Sequence, residues 1–363
     1  MKITMILTNA FDPDVRVYKE AKYLIEQGKK VTILCWDRKK DSQLPKREYK
    51  DGIEVIRFRI PSVAGTGYKQ IGAYLKYVRA CKCYLKKYKT DYVHCHDLDG
   101  MLAYRLMGKK KYPYVFDMHE YYIRGNARKK NIIKKLVGSC IKGSHYSFYE
   151  NDGYLRLYDK KTTNKLLPLK NYPDTYLEKL PKTPADKLRI GYHGCVRSQI
   201  AEFSALFEAC KDMVEQVRID INGGGIDLEQ LKELEKKYSN VYVHGAYDGI
   251  KDSTGLYQNT DLLFCGYDPN NANYQGDAEV VKFYEAIVTG TPLIITAGTG
   301  MAEKVKKHGL GVAVDTRDAK QLKDVIRKIL EDKDKLNVYR DNMGKIAEDY
   351  QWKNAVKVLS KVY

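Results

Sequence analysis

The strongest constraint on the fold is a rhythm. Short apolar runs alternate with longer amphipathic stretches, and the alternation occurs twice along the chain. In the first half the runs at 3–7, 31–35, 55–60, 91–94 and 114–117 read as buried strands. The stretches 14–28, 68–88 and 98–108 carry apolar residues at helical spacing. Val17, Ala21, Leu24 and Ile25 share one face of the first helix, which Gly28 ends. A second series places strands at 188–192, 218–222, 240–243, 261–265, 292–295 and 311–314, with helices between. Strands joined by crossover helices form parallel sheets covered on both faces, so the predicted class is α/β with two doubly wound, Rossmann-like domains.

A chain of 363 residues is long enough for two cores. The stretch 170–187, KNYPDTYLEKLPKTPADK, holds three prolines among polar residues and reads as a linker. The expected division is 1–170, a linker at 171–187, 188–344, and a C-terminal helix within 345–363 that packs back on the first domain. Two such domains imply a central cleft facing the carboxyl ends of the strands, where ligands usually bind.

Composition narrows the classes. No apolar run approaches the length of a membrane-spanning helix. The opening MKITMILTNAF is too short in its apolar part for a signal peptide and reads as a first strand. Eight scattered cysteines without zinc spacing suggest reduced thiols and a cytoplasmic protein. Residues 1–200 carry 42 Lys and Arg against 20 Asp and Glu, whereas residues 201–363 carry 22 against 26. The basic first half calls for an anionic partner or reflects compositional bias.

The stretch DAEVVKFYEAIVTGTPLI (277–294) carries the chemistry. A helix beginning near Glu279 and stopped by Gly290 and Pro292 sets Lys282 and Glu285 three apart on one face. Its free N–H groups and positive dipole end favour an anion. A carboxylate one turn deeper suits vicinal hydroxyls, so a nucleotide explains Glu285; a surface Glu paired with Lys282 explains it equally well on spacing alone.

IGYHGCVR (190–197), INGGG (221–225), the stretch 241–269 and DAEVVKFYEAIVTGTPLI resemble, in order, the nucleotide-sugar-binding domain of family 4 glycosyltransferases, retaining enzymes of the GT-B fold. TNAFDPDVRVYKEA (8–21), DYVHCHDLDG (91–100), VFDMHEYY (115–122) and LLPLKNYPD (166–174) are similar to its first domain. The resemblance implies a hexosyltransferase of bacterial or archaeal surface-glycan type. Glu285 would bind the ribose, and Asp277 with the backbone after it, at Glu279 and Val280, would face the donor sugar. Arg197 would clamp the diphosphate, Gly194 and Gly276 would be further donor-binding residues, Gly276 letting the backbone approach the ligand, and His119 would reach the sugar. The chain reads RSQIAEF where the family carries a lysine after the arginine, and Lys282 stands in for it. Asp14 and Arg16 are acceptor-side candidates. The implied mechanism is electrostatic: cations and amides stabilise the leaving diphosphate while the acceptor attacks the same face.

No cofactor and no metal are expected. HCHD (94–97) is read with His94 and His96 on opposite faces of a strand. The basic stretches 76–89 and 124–143 suit an anionic membrane surface, which makes a peripheral membrane enzyme acting on a glycan or lipid-linked acceptor the leading reading. A nucleotide-sugar epimerase of the same fold and a basic nucleic-acid-binding protein are the alternatives; the latter leaves Glu285 and Asp277 unexplained, and no nucleic acid is expected.

Overall fold

In a computed structural model, residues 1–12, 14–63, 67–108, 112–123, 125–174, 180–249, 251–270, 274 and 279–363 are described. The chain forms two compact units, Met1–Asn171 with Val356–Tyr363, and Tyr172–Ala355.

The first unit contains β1 (Lys2–Leu7), α1 (Val15–Glu26), β2 (Lys30–Asp37), β3 (Arg47–Lys50), β4 (Ile53–Arg59), α2 (Ile71–Lys87), β5 (Tyr92–His96), α3 (Asp97–Leu106), β6 (Tyr114–Met118), α4 (Ala127–Gly143), β7 (Ser147–Tyr149), α5 (Lys160–Thr163) and β8 (Leu166–Pro168). Its sheet runs β3-β4-β2-β1-β5-β6-β7-β8. Only β3 is antiparallel to its neighbour. The chain winds from β1 outward through β2 and β4, then returns to lay β5 on the other side of β1. The carboxyl ends of β1 and β5 therefore flank a switch point, the usual place for a ligand in such sheets.

Local chemistry builds these elements. Asp14 caps α1 by accepting from the Val17 amide at 3.1 Å. Val17, Ala21 and Leu24 are buried on its inner face. Gly28, at φ 73°, supplies the left-handed residue that ends the turn. The strands β1, β2, β5 and β6 are buried on both faces, so they read as continuous apolar runs. The short strands β3, β7 and β8 gave no such signal.

The second unit contains β9 (Leu188–His193), α6 (Ile200–Cys210), β10 (Val217–Asn222), α7 (Leu228–Glu235), β11 (Val241–Gly245), α8 (Ser253–Gln258), β12 (Leu262–Cys265), α9 (Val281–Thr289), β13 (Leu293–Thr296), α10 (Gly300–His308), β14 (Gly311–Val314), α11 (Ala319–Glu331), α12 (Asp334–Ile346) and α13 (Trp352–Ala355). Its parallel sheet runs β11-β10-β9-β12-β13-β14, with the switch point between β9 and β12. Phe203, Phe207, Ile219, Leu262 and Ile326 centre one face of its core, and Phe283, Ile287, Leu293 and Met301 the other.

The C-terminal stretch departs from expectation. No single helix covers 345–361: α12 ends at Ile346, and Gln351 is extended at φ −96°, ψ 135°. A tight turn at Val356–Lys361 follows. Leu359 and Val362 are buried, Ser360 Oγ meets Tyr23 Oη at 2.7 Å, and the Tyr363 ring sits edge-on to Tyr92.

Candidate functional site

In the second unit the strand-end site begins where β9 stops. Gly194 follows His193 at φ 143°, and its amide donates to the Asn222 carbonyl at 2.9 Å. The loop after β10 presses against it. A Cβ on Gly223 would fall 1.7 Å from the Gly194 carbonyl oxygen, and one on Gly225 would fall 2.0 Å from that of Val196. Gly223 and Gly225 are thus required by the close approach of two backbones, whereas a Cβ on Gly224 would meet only Ala246, at 3.4 Å.

Over Gly194 lies Lys282, the second residue of α9. Its Nζ sits 3.4 Å above the Tyr192 ring, and a Cβ on Gly194 would be 2.9 Å from it. The side chain is nine-tenths buried. Among the described residues its ammonium has neither a carboxylate partner nor a hydrogen-bond acceptor, only the rings of Tyr192 and Tyr267. Burial lowers its pKa to about 8. Burial and the same lysine push the neighbouring His193 down to about 3, so that imidazole is neutral.

Glu285 lies one turn along α9. Tyr257 Oη donates to Glu285 Oε2 at 2.7 Å and so orients the carboxylate. Gly290, in the left-handed conformation, ends the helix where the sequence placed its stop. Arg197 is exposed on the loop after β9. Glu279 is otherwise engaged: its carboxylate pairs with Lys304 and accepts from Tyr284 Oη. Val280 is the extended residue from which α9 starts. Gly276 and Asp277 lie outside the described residues. In the RSQIAEF segment, Glu202 is fully buried and paired with Arg317 at 2.7 Å. Arg317 also lies 3.5 Å from Asp268. Nothing in the local sequence pointed to that arginine.

The first unit carries a different assembly at its own strand ends. Arg16, on α1, is buried. Its guanidinium reaches Asp117 Oδ1 at 2.7 Å, Glu20 Oε1 at 3.1 Å, Glu150 Oε2 at 3.0 Å and the Leu169 carbonyl at 3.1 Å. It therefore does not face outward toward an acceptor, because three carboxylates hold it inside. Asp14 is likewise engaged, capping α1 and accepting from Asn9 Nδ2 at 2.8 Å.

His119 follows β6 and keeps 14% of its side chain exposed. Its Nε2 meets Asp117 Oδ2 at 2.7 Å, and its Nδ1 lies 3.5 Å from Asp97 Oδ2. His96 Nδ1 approaches His119 Nε2 at 3.2 Å. Burial alone would lower the His119 pKa, but Asp117 and Asp97 raise it to about 9, so the ring is an imidazolium at neutral pH. Burial also opposes the charge on Asp117, yet Arg16 and His119 hold its carboxyl well below the ordinary range. Glu20 moves the other way, because burial and Asp117 outweigh Arg16.

His94 and His96 do not face opposite sides. Residues two apart on a strand share a face, and here the rings stack with centroids 4.3 Å apart. That stacking brings Glu20, His94, His96 and Asp117 within 4.8 Å of one another through one atom each. Arg16 Nε stands 3.1 Å from Glu20 Oε1 and 3.2 Å from Asp117 Oδ2, so a cation already stands against both carboxylates, while Glu20 Oε2, both His94 nitrogens and His96 Nε2 have no hydrogen-bond partner among the described residues. The cluster fits an ion network built on a guanidinium better than a metal centre. Of these residues, the Arg16–Glu20 pair had a readable signal, the i, i+4 spacing on a helix. Asp97 and Asp117 fall in stretches that resemble the family's first domain, but no spacing singled them out, and Glu150 had no signal.

Residues 186–349 match the family profile described as glycosyl transferases group 1, and residues 13–143 match the glycosyl transferase 4-like domain. An uncharacterized glycosyltransferase of Methanocaldococcus jannaschii is 24% identical over 156 residues, 42% of this chain and 38% of its own length. A D-inositol 3-phosphate glycosyltransferase of Corynebacterium urealyticum is 26% identical over 170 residues, 44% of this chain and 38% of its own. The match thus spans well under half of either relative. Among solved structures, sucrose-phosphate synthase of Thermosynechococcus elongatus superposes with a TM-score of 0.77 at 17% identity, covering 100% of this chain and 98% of that one. HepE of Anabaena, in complex with UDP and glucose, gives 0.70 at 14% identity and covers 100% and 99%.

Proposed function

Because the chain belongs to the group 1 glycosyltransferases, with the two Rossmann-like units of the GT-B fold, we propose that it moves a hexose from a nucleotide sugar, with retention, to a lipid-linked or polysaccharide acceptor of surface-glycan synthesis. One observation carries the reading: a buried lysine without an anionic partner among the described residues lies over Gly194, one helical turn from a carboxylate held by Tyr257, at the switch point of a parallel sheet. A diphosphate at the start of α9 meets Lys282, Arg197 and the helix dipole. Glu285 then accepts from the ribose hydroxyls. Asp277, Gly276 and the backbone at Glu279 and Val280 attend the donor sugar, and His119 contributes a positive donor to a sugar oxygen. The cations offset the charge that builds on the leaving diphosphate, which is the main catalytic term for such a transfer. HepE was solved with UDP, which makes UDP the first nucleotide to try.

The basic first unit supports peripheral attachment to the cytoplasmic face of an anionic membrane. No helix among the described residues is long and apolar enough to cross a membrane. On α4, Lys129, Lys130 and Lys135 are exposed beside Ile132, which is 58% exposed. Such a mixture of basic and apolar groups binds anionic surfaces in a salt-sensitive way. Vesicles of anionic lipid should retain the protein at low salt and release it at high salt; equal binding to neutral vesicles would refute the attachment.

The nucleotide reading is tested by thermal unfolding with UDP, GDP, ADP and CMP. A ligand at a hundredfold excess over its Kd stabilises by about 2.7 kcal/mol. One diphosphate should raise the melting temperature of the wild type, and Glu285→Ala should lose most of that rise. No shift with any diphosphate would overturn the donor site.

A further inference from the structure

The second unit contains a cavity of about 670 Å³ at the far end of α9 from Lys282. Thr289 and Gly290, where the helix stops, form one wall. Lys282 is seven residues earlier, which is about 10 Å along a helix axis. The other walls come from the segment before β9, from α12 and from the start of α13. The cavity therefore lies apart from the nucleotide site proposed above.

Charge is unevenly distributed around it. Lys182, Arg340 and Lys353 line the cavity against one carboxylate, Glu348. Asp261 does not redress the balance for Arg340. Arg189 already holds that carboxylate through contacts of 2.8 and 3.0 Å, and it stands 3.9 Å from Arg340. Arg340 reaches Asn337 Oδ1 only at 3.4 Å, and its Nε is buried with no hydrogen-bond partner among the described residues. Lys182 Nζ donates to the Tyr257 carbonyl at 2.9 Å and to Thr291 Oγ1. An ammonium has three donors, so one is unused among the described residues. Burial, and then Arg340, lowers the pKa of Lys182 to about 7; Arg189 adds to the effect and Asp261 opposes it. Cations crowded together in this way gain from an anion beside them. Gln351 is only 7% exposed, and its Oε1 also lacks a partner among the described residues. A buried polar atom left without a hydrogen bond costs about 1–3 kcal/mol, which a ligand can recover.

These groups make complementary demands. A guanidinium and an ammonium together suit a doubly charged phosphate, because the guanidinium fork matches phosphate oxygens. Gln351 Oε1 can only accept, so it calls for a hydroxyl. A bare phosphate would occupy a small part of a cavity whose volume falls within the range of small-molecule sites. Leu180 and Ile287 offer an apolar wall to a carbon skeleton. We propose that the cavity is a second ligand site, which binds a small phosphate monoester bearing hydroxyl groups, with its phosphate on Arg340 and Lys182 and a hydroxyl on Gln351. The site does not depend on the donor reading and stands even if no nucleotide binds.

Titration calorimetry on the whole chain tests this. The probes are glucose 6-phosphate, glycerol 3-phosphate, inorganic phosphate and glucose, with UDP as the control for the other site. At least one ester should bind, at one site per chain, and glucose should not. Arg340→Gln should weaken the ester by about tenfold or more, the loss expected for a charge-assisted hydrogen bond, and leave UDP binding unchanged. Glu285→Ala should leave ester binding unchanged, which separates this cavity from the nucleotide site. Tighter binding of glucose 6-phosphate supports a soluble sugar ester, and tighter binding of glycerol 3-phosphate supports a lipid headgroup. Inorganic phosphate binding as tightly as either ester would overturn the assignment to an ester. No binding of any phosphate at millimolar concentration, or binding that Arg340→Gln leaves intact, overturns the site itself. Where Arg340→Gln does not fold, Lys353→Glu, at an exposed position, carries the test: it should weaken the ester several-fold, and unchanged affinity would sink the site. A wild type that binds an ester but no diphosphate removes the donor reading and leaves this site standing.

Discussion

The two strand-end sites solve opposite electrostatic problems. In the first unit a buried arginine is surrounded by three carboxylates and a carbonyl, and nearly every charge has a partner. In the second, a buried lysine rests on an aromatic ring with no anion among the described residues. A closed network holds groups in place; an open cation awaits one. The contrast suggests that the first unit orients and the second binds. The two histidines beside these sites titrate in opposite directions: burial lowers both, but Asp117 and Asp97 raise His119 to about 9, whereas burial, with Lys282 adding to it, takes His193 down to about 3.

The comparison can be broken most severely at Arg16. Replacing it with methionine leaves Glu20, Asp117 and Glu150 without their cation, and removing one partner of a buried ion network costs roughly 3–5 kcal/mol. Urea unfolding should show a loss of that order. Lys282→Met is the matching change in the second unit, and it should do the reverse. It removes a desolvated charge that has no anionic partner among the described residues, so the unliganded protein should be as stable as the wild type or more so. Binding of the diphosphate should weaken by about tenfold or more, as expected when a charge-assisted hydrogen bond of roughly 1.5–3 kcal/mol is removed. A stability loss comparable to that of Arg16→Met would erase the distinction.

A subtler difference lies in pH. His119 has its folded pKa raised from the ordinary 6.5 to about 9, so its contribution is complete below 6.5 and disappears as pH rises through 9. Lys282 is lowered from 10.5 to about 8. Between those values the unfolded chain binds more protons, so stability rises with pH from about 8 to 10.5. Hydrogen exchange resolved by segment should therefore show β5 and β6 losing protection above neutral pH. The start of α9 should gain protection above pH 8 in the unliganded protein. Parallel behaviour of the two segments would contradict the assignment. The smallest expected effect is on Tyr257: Tyr257→Phe removes the hydroxyl that donates to Glu285, and should lower nucleotide affinity by a few-fold, about 1 kcal/mol for one hydrogen bond.

Much of the second site was legible in the sequence, because its key pair is local. Lys282 and Glu285 share a helix, and a spacing of three puts them on one face whatever the helix packs against. The stop at Gly290 was equally readable, since a left-handed cap favours glycine. The first site was only half legible. His119 could be named by resemblance; Asp97 and Asp117 lie in the same kind of stretch, DYVHCHDLDG and VFDMHEYY, but no spacing singled them out. Arg16 was an acceptor-side candidate, and only the carboxylates gathered from β6 and the segment after β7 explain why it is buried. The reading of His94 and His96 failed for a simpler reason: strand periodicity is two, so the pair had to share a face.

What the sequence determined by itself was the order of the strands buried on both faces and of the helices between them, the two-sheet α/β class, and relations carried by a single helix or strand. Those follow from local periodicity and capping, which need no distant partner. The tertiary structure decided which strand lies beside which, and with it every site relation that spans elements. Parallel pairing of β1 with β5 and of β5 with β6 sets the carboxyl ends of those strands in one row. That row brings Asp97, Asp117 and His119 together under Arg16. Register across a sheet depends on all the strands at once, and no stretch of sequence read alone contains it.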